Sequence, residues 1–262
     1  MSMGDHEVAV AAAEAGAAVV RARFGQTLSR VDKGAGDFAT EADLEAEKAI
    51  VAVLRDARPD DAILGEETGR TGQADRTWLV DPLCGTLNFA ARTTMVAVNV
   101  ALLVGRDIRA AAAADPFGDE IFWTDRSGAY LRRDGADEPL RPSGESRLVD
   151  LNLDPPFPSA PGFRAVHLLA HPEFGVAFSP RVLSTTLPLA WVAAGRRAAY
   201  LSDGHRDWTV HSAAGIALCR AAGCVVTDLA GDPLHTSSRG LLAAADSETH
   251  ATLLAQIADG WK

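Results

Sequence analysis

Between residues 95 and 132 the chain carries four β-prone runs, at 95–104, 108–114, 120–124 (EIFWT) and 129–132, with only short turns between them. Connections this short fold successive strands back on one another, so the block reads as an antiparallel meander. Helical spacing of apolar positions over 5–24 precedes it, and a second helix is expected from 41 to about 55 with Thr40 as its N-cap. An apolar strand at 77–80 leads into a loop running through Asn88. Further on, helices at about 186–195 and 211–222 alternate with strands near 198–201, 224–228 and 240–244, and a last helix covers about 247–259. Strands first and αβ alternation later predict an α/β (α+β) chain of layered sheets and helices. The Pro- and Ser-rich stretch PSGESRLVDLNLDPPFPSAPGF at 142–163 is the candidate boundary between lobes. It gives an α+β lobe over 1–145 and an α/β lobe over 146–262, packed as one compact structural unit.

At 262 residues, 47% hydrophobic and 23% charged, the chain can bury a sizeable core. No apolar run reaches the roughly 18–20 residues that span a bilayer. The alanine-rich start lacks a basic region and carries Glu7 and Glu14, so it reads as a helix and not as a signal peptide. A net charge of −10 argues against a nucleic-acid or anionic-membrane partner. Cys84, Cys219 and Cys224 are odd in number and irregularly spaced, which signals neither a disulfide framework nor a zinc pattern. A reducing cytoplasm is the expected location.

Chemistry concentrates in acidic residues on or beside turns. Asp43 lies in GDFATEAD, Glu66 and Glu67 follow Gly65 in ILGEE, and Asp81 ends the strand of WLVDPLCGTLNF. Such carboxylates are hard ligands suited to Mg²⁺, with a bound water as nucleophile. Each has an ordinary reading as well. Asp43 stands three residues after Thr40 and fits a capping box, the Glu pair fits a solvated loop, and Asp81-Pro82 fits a turn.

Taken in order, GDFATEAD, ILGEE and WLVDPLCGTLNF resemble the inositol monophosphatase superfamily, whose pattern runs T-x-x-D, then G-E-E, then W-x-x-D-P-[IL]-D-G-T-x-N-F. The likeness continues through ADPFGDEIFWTDRSGAYL, RVLSTTLPLAWVAAGRRAAYL and SAAGIALCRAAGCVVTDLAG, and is weakest over 145–180. It implies a layered αβαβα sandwich, Mg²⁺-dependent hydrolysis of a small phosphomonoester such as a sugar or inositol phosphate, and a homodimer. By position it implies that Glu66, Asp81 and the carbonyl of Leu83 hold the metal. It further implies that Asp43 and Thr86 orient the attacking water and that the amides of Gly85 and Thr86 receive phosphate.

Two departures fall on the family's second metal position. The second aspartate of D-P-x-D is Cys84, and the aspartate of W-D-x-A-A-G is His211 or Thr209, depending on where a two-residue insertion lies. Asp203 and Asp207, in the preceding loop, are possible substitutes. Cys84 and His211 open two chemical alternatives beside an inert Cys84. One is a softer ion, Zn²⁺ or Fe²⁺, held by Glu66, Asp81, Cys84 and His211. The other is a metal-free Cys84 nucleophile with His211 as base and the Gly85 and Thr86 amides as oxyanion hole, acting on an acyl or thioester substrate that a carrier protein could present. A catalytically inactive ligand-binding homologue is the third possibility.

Overall fold

The computed structural model describes residues 3–34, 37–155, 163–204, 209–234 and 239–259. The chain divides into two compact units: residues 1–139 with 185–187 and 209–218, and the remainder. The chain therefore leaves the first unit after residue 139 and returns to it twice.

In the first unit, α1 (Asp5–Arg23) and α2 (Glu41–Ala57) flank a hairpin of β1 (Arg30–Gly34) and β2 (Asp37–Thr40). Then follow β3 (Ala62–Gly65), β4 (Gly69–Thr71), β5 (Arg76–Cys84) and a short helix α3 (Thr86–Ala90), in place of the expected loop through Asn88. The meander is β6 (Ala97–Val104), β7 (Asp107–Asp115), β8 (Glu120–Thr124), β9 (Ala129–Arg133) and β10 (Ala136–Pro139). These strands form an eight-stranded sheet in the order β10-β9-β8-β7-β6-β5-β3-β4. All its pairs are antiparallel except β3 with β5.

The core of this unit gathers α1, α2 and one sheet face: Val8, Val20, Ile50, Leu54, Trp78, Val98 and Val100 are fully buried. Burying side chains of this size contributes about 1.5–3 kcal/mol each. Close packing explains the small residues of α1. A Cβ on Gly16 would lie 2.7 Å from Ile50 and 2.9 Å from Val98, so glycine lets the helix approach α2 and β6.

The second unit is built on a five-stranded sheet ordered β12-β11-β13-β15-β14. Its strands are β11 (Leu148–Asn152), β12 (Ser179–Val182), β13 (Ala199–Ser202), β14 (Val225–Thr227) and β15 (Leu241–Ala244). β11 runs parallel to β12 and β13, and β15 antiparallel to β13 and β14. Helices α4 (Pro172–Ala177), α5 (Leu187–Ala193), α6 (Ala213–Ala222) and α7 (Ser247–Asp259) complete the chain, with Leu187 and residues 213–218 counted in the first unit. β11 falls inside the Pro- and Ser-rich stretch expected as a boundary. LVDLN there carries β-prone residues that the surrounding prolines mask. No helix among the described residues is long and apolar enough to cross a membrane.

Candidate active site

The parallel β3–β5 pair brings the C-terminal ends of both strands to one edge of the sheet. Gly65 pairs with Val80, and the Glu66 amide donates to the Val80 carbonyl at 3.0 Å, so Glu66 leaves β3 beside Asp81. Asp81 has no solvent exposure. Burial works most strongly against its charge, yet His211 together with hydrogen bonds from Glu66 and Cys84 holds the carboxyl below its usual range.

Beyond Asp81 the ladder with β6 shifts: Asp81 faces Asn99, and Cys84 faces Ala97. Three steps on β5 match two on β6, a one-residue bulge at a point where Pro82 supplies no N–H. In a regular strand residues 81 and 84 would point to opposite faces. The bulge resets the phase, and donor atoms of Asp81, Cys84 and His211 lie within 4.8 Å of one another.

His211 reaches this point just ahead of α6, with Nδ1 2.9 Å from Asp81 Oδ2 and 3.9 Å from Glu66 Oε2. Thr209, the competing position, instead pairs its hydroxyl with Ser212 at 3.0 Å. His211 thus stands beside Asp81. Asp203 is engaged in the second unit, where Arg164 Nε and the Ala165 amide each donate to it at 2.8 Å. Asp207, His205 and Arg206 lie outside the described residues.

Cys84 is 9% exposed. Its Sγ accepts from the Thr186 amide at 3.2 Å and the Thr186 hydroxyl at 3.1 Å, and its carbonyl accepts from Thr185 Oγ1 at 3.1 Å. Asn99 Nδ2 donates to the Thr186 hydroxyl oxygen at 3.0 Å, which directs the hydroxyl proton toward the sulfur. Burial and the negative charge of Asp81 push the thiol well above its ordinary range, only partly offset by Thr186.

Gly85 follows with φ +105°, a left-handed conformation that suits glycine, and turns the chain into α3. The turn swings the Thr86 hydroxyl to 2.9 Å from Asp43 Oδ1 and 3.2 Å from the Leu83 carbonyl. The other Asp43 oxygen accepts from the Thr40 amide at 2.7 Å and the Thr40 hydroxyl at 2.6 Å. Capping box and contact with Thr86 therefore coexist on one carboxylate. Burial raises the pKa of Asp43 despite the hydrogen bonds from Thr40 and Thr86.

One contributor was not singled out from the sequence. Glu47, one turn beyond Asp43 on α2, accepts from the Glu67 amide at 2.8 Å and from the Thr68 amide and hydroxyl at 2.9 and 2.5 Å. A Cβ on Gly65 would meet Glu47 Oε1 at 2.5 Å, so glycine is needed where the strand passes this carboxylate. The available signal was phase: Asp43 and Glu47 share the buried stripe of Ile50 and Leu54, where apolar residues are the rule. Thr185 and Thr186 also contribute to the site. Thr185 Oγ1 accepts from the amide of Leu187, the first residue of α5, at 3.3 Å, and Thr185 and Thr186 both hydrogen-bond to Cys84.

The donor atoms gathered here fall into two chemical kinds. Glu66, Asp81 and the Leu83 carbonyl are oxygen donors that suit a hard cation such as Mg²⁺, whereas Cys84 and His211 do not extend that set to a second one.

Carboxylates gathered at the ends of a parallel strand pair, beside a hydrogen-bonded Thr–Asp pair, make an arrangement that a hydrolase can use. The sequence profile of the Inositol monophosphatase family matches residues 5–262. An inositol-1-monophosphatase of Caulobacter vibrioides is 33% identical over 235 residues, covering 86% of this chain and 89% of that relative. The inositol-1-monophosphatase ImpA of Mycolicibacterium smegmatis is 36% identical over 225 residues, covering 83% and 79%. Among solved structures, the extragenic suppressor protein suhB of Bartonella henselae superimposes with a TM-score of 0.84 at 29% identity, over 96% of this chain and 97% of that one. The chain belongs to the inositol monophosphatase family.

Proposed function

We propose that the chain hydrolyses a small phosphomonoester, of the sugar- or inositol-phosphate kind, in a metal-dependent reaction. The observation that carries this reading is the Thr86 hydroxyl. It lies within hydrogen-bond distance of the Asp43 carboxylate and of the Leu83 carbonyl, while the Leu83 amide donates to Asp81 Oδ1 at 3.2 Å. Proton acceptor and oxygen donors are thus joined through two residues of one turn. The names of the Caulobacter and Mycolicibacterium relatives support the same class.

Mg²⁺ held by Glu66, Asp81 and the Leu83 carbonyl would polarise the phosphoryl group and acidify a bound water. Asp43 draws the Thr86 proton, which leaves a hydroxyl lone pair to accept a proton from that water. The raised pKa of Asp43 favours the transfer, since a more basic carboxylate is the better proton acceptor. Receipt of the phosphate oxygens falls in this reading to the amides of the Gly85–Thr86 turn, since the first N–H groups of a helix lack intrahelical acceptors.

The alternative of a Cys84 nucleophile finds less support. Burial and the neighbouring charge of Asp81 oppose the thiolate that an attack requires, and the two hydrogen bonds the sulfur accepts from Thr186 offset them only in part. Phosphate release from a panel of inositol and sugar monophosphates, with Mg²⁺, Mn²⁺ or Zn²⁺ and with chelator, tests the proposal. Release that depends on a divalent ion is expected; none with any ion overturns it.

A further inference from the structure

We propose that Asp81, Cys84 and His211 form a site for one borderline-soft divalent cation, of the Zn²⁺, Co²⁺ or Fe²⁺ kind, in preference to Mg²⁺. The inference rests on the reading of this cleft as a metal-dependent hydrolase site, but concerns only what the cleft binds.

The donor set is one carboxylate oxygen, one sulfur and one imidazole nitrogen, all within 4.8 Å of each other. A tetrahedral zinc with ordinary bond lengths separates its ligand atoms by roughly 3.3–3.8 Å, so the three need close by only about an ångström. His211 Nδ1 and Asp81 Oδ2, at 2.9 Å, are already nearer than that. Sulfur and imidazole bind such ions well and Mg²⁺ poorly.

The surroundings of the sulfur are an independent observation. Two donors from Thr186 point at Cys84 Sγ, and Asn99 fixes the direction of one of them. Hydrogen bonds aimed at a ligating atom orient it and stabilise its anionic form, the role outer partners play around metal-bound thiolates. The bulge at Pro82 turns Cys84 to the side of Asp81. His211, with a side chain 39% exposed, leaves the ion a route from solvent, and Glu66 Oε2, 3.9 Å from its Nδ1, is a neighbouring fourth donor.

Binding exchanges protons for the ion. The Cys84 thiol loses its proton to solvent as the metal–sulfur bond forms. If Nδ1 ligates, the proton it shares with Asp81 moves to Nε2 or leaves, so that a lone pair faces the metal.

Titration of the metal-free protein with Co²⁺ tests this directly. One ion per chain is expected to bind with a thiolate-to-cobalt charge-transfer band in the near ultraviolet, displaced by Zn²⁺ and not by excess Mg²⁺. Cys84→Ser should abolish the band and weaken Zn²⁺ binding by more than the roughly 10–100-fold typical of losing an outer hydrogen-bond partner. Cys219→Ser and Cys224→Ser should leave the band intact. A wild-type protein with no band, or a band that survives Cys84→Ser, overturns the proposal. Because the readout is absorption, a protein that binds Co²⁺ this way and releases no phosphate would sink the hydrolase reading alone.

Discussion

Asp43 and Glu47 stand one helical turn apart on α2, each 1% exposed, and their carboxylates hold two different segments of the cleft. Asp43 takes the hydroxyl of Thr86 after β5, and Glu47 takes the amides of Glu67 and Thr68 after β3. One helix face therefore positions both Asp43 and the turn that carries Glu66.

Replacing Glu47 should reveal that tether. Glu47→Ala leaves two amides and a hydroxyl without their charged acceptor, and is expected to lower the unfolding free energy by about 2–3 kcal/mol. Glu47→Gln should cost less, since one amide oxygen still accepts. Denaturant titrations measure both. Equal midpoints for Glu47→Ala and the parent would refute the tether.

Asp43→Asn should reduce phosphate release by roughly 10²–10⁴-fold, the range removed with a positioned acid–base group. Thr86→Val should fall in a similar range, and the double variant should be little worse than either single one, because the two act as a unit. Multiplicative losses in steady-state assays would show that they act separately.

The same Asp43→Asn variant has a signed effect on stability. Burial raises the Asp43 pKa, so the folded chain holds this proton more tightly than the unfolded one does. Stability then falls as pH rises above the ordinary value of 3.8 and levels off past the raised folded value. The advantage of Asp43→Asn over the parent should grow across that window and vanish below it. Thermal melts across acidic to neutral pH read it. A difference independent of pH would contradict a buried, ionised Asp43.

Thiol reactivity separates the roles of the cysteines. Cys84 and Cys219 are buried, while Cys224 is partly exposed. Alkylation at neutral pH, followed peptide by peptide, should label Cys224 first and Cys84 only slowly, in keeping with a thiol pushed up by burial and Asp81. Rapid labelling of Cys84 that is lost in His211→Ala would instead restore the dyad.

Much of this fold was legible because its signals are local. Thr40 caps α2 where a Thr three residues before an acid predicts it, and the meander appears where short turns separate β-prone runs. The edge strands β1, β2, β4 and β12 were not legible: each is three to five residues long and stabilised by a partner the sequence does not reveal. The same division runs through the site. Asp43, Glu66, Asp81 and Thr86 sit in motifs on turns, whereas Glu47 and Thr186 act through contacts with residues 20 and 102 positions away.

The bulge at Pro82 has a consequence for how this cleft can change. It frees position 84 from the alternation that β6 imposes on residues 76 to 81, so its side chain lies toward Asp81 whatever that side chain is. Swapping carboxylate for thiol there alters which element the cleft accepts while the ladder upstream stays in register. Asp81 has no such latitude: it sits on the last regular rung, opposite Asn99 and without solvent. Position 84 thus behaves as an exchangeable fitting on a fixed mount, and Cys84→Asp is the single edit expected to shift the preference of the Asp81–Cys84–His211 set toward magnesium.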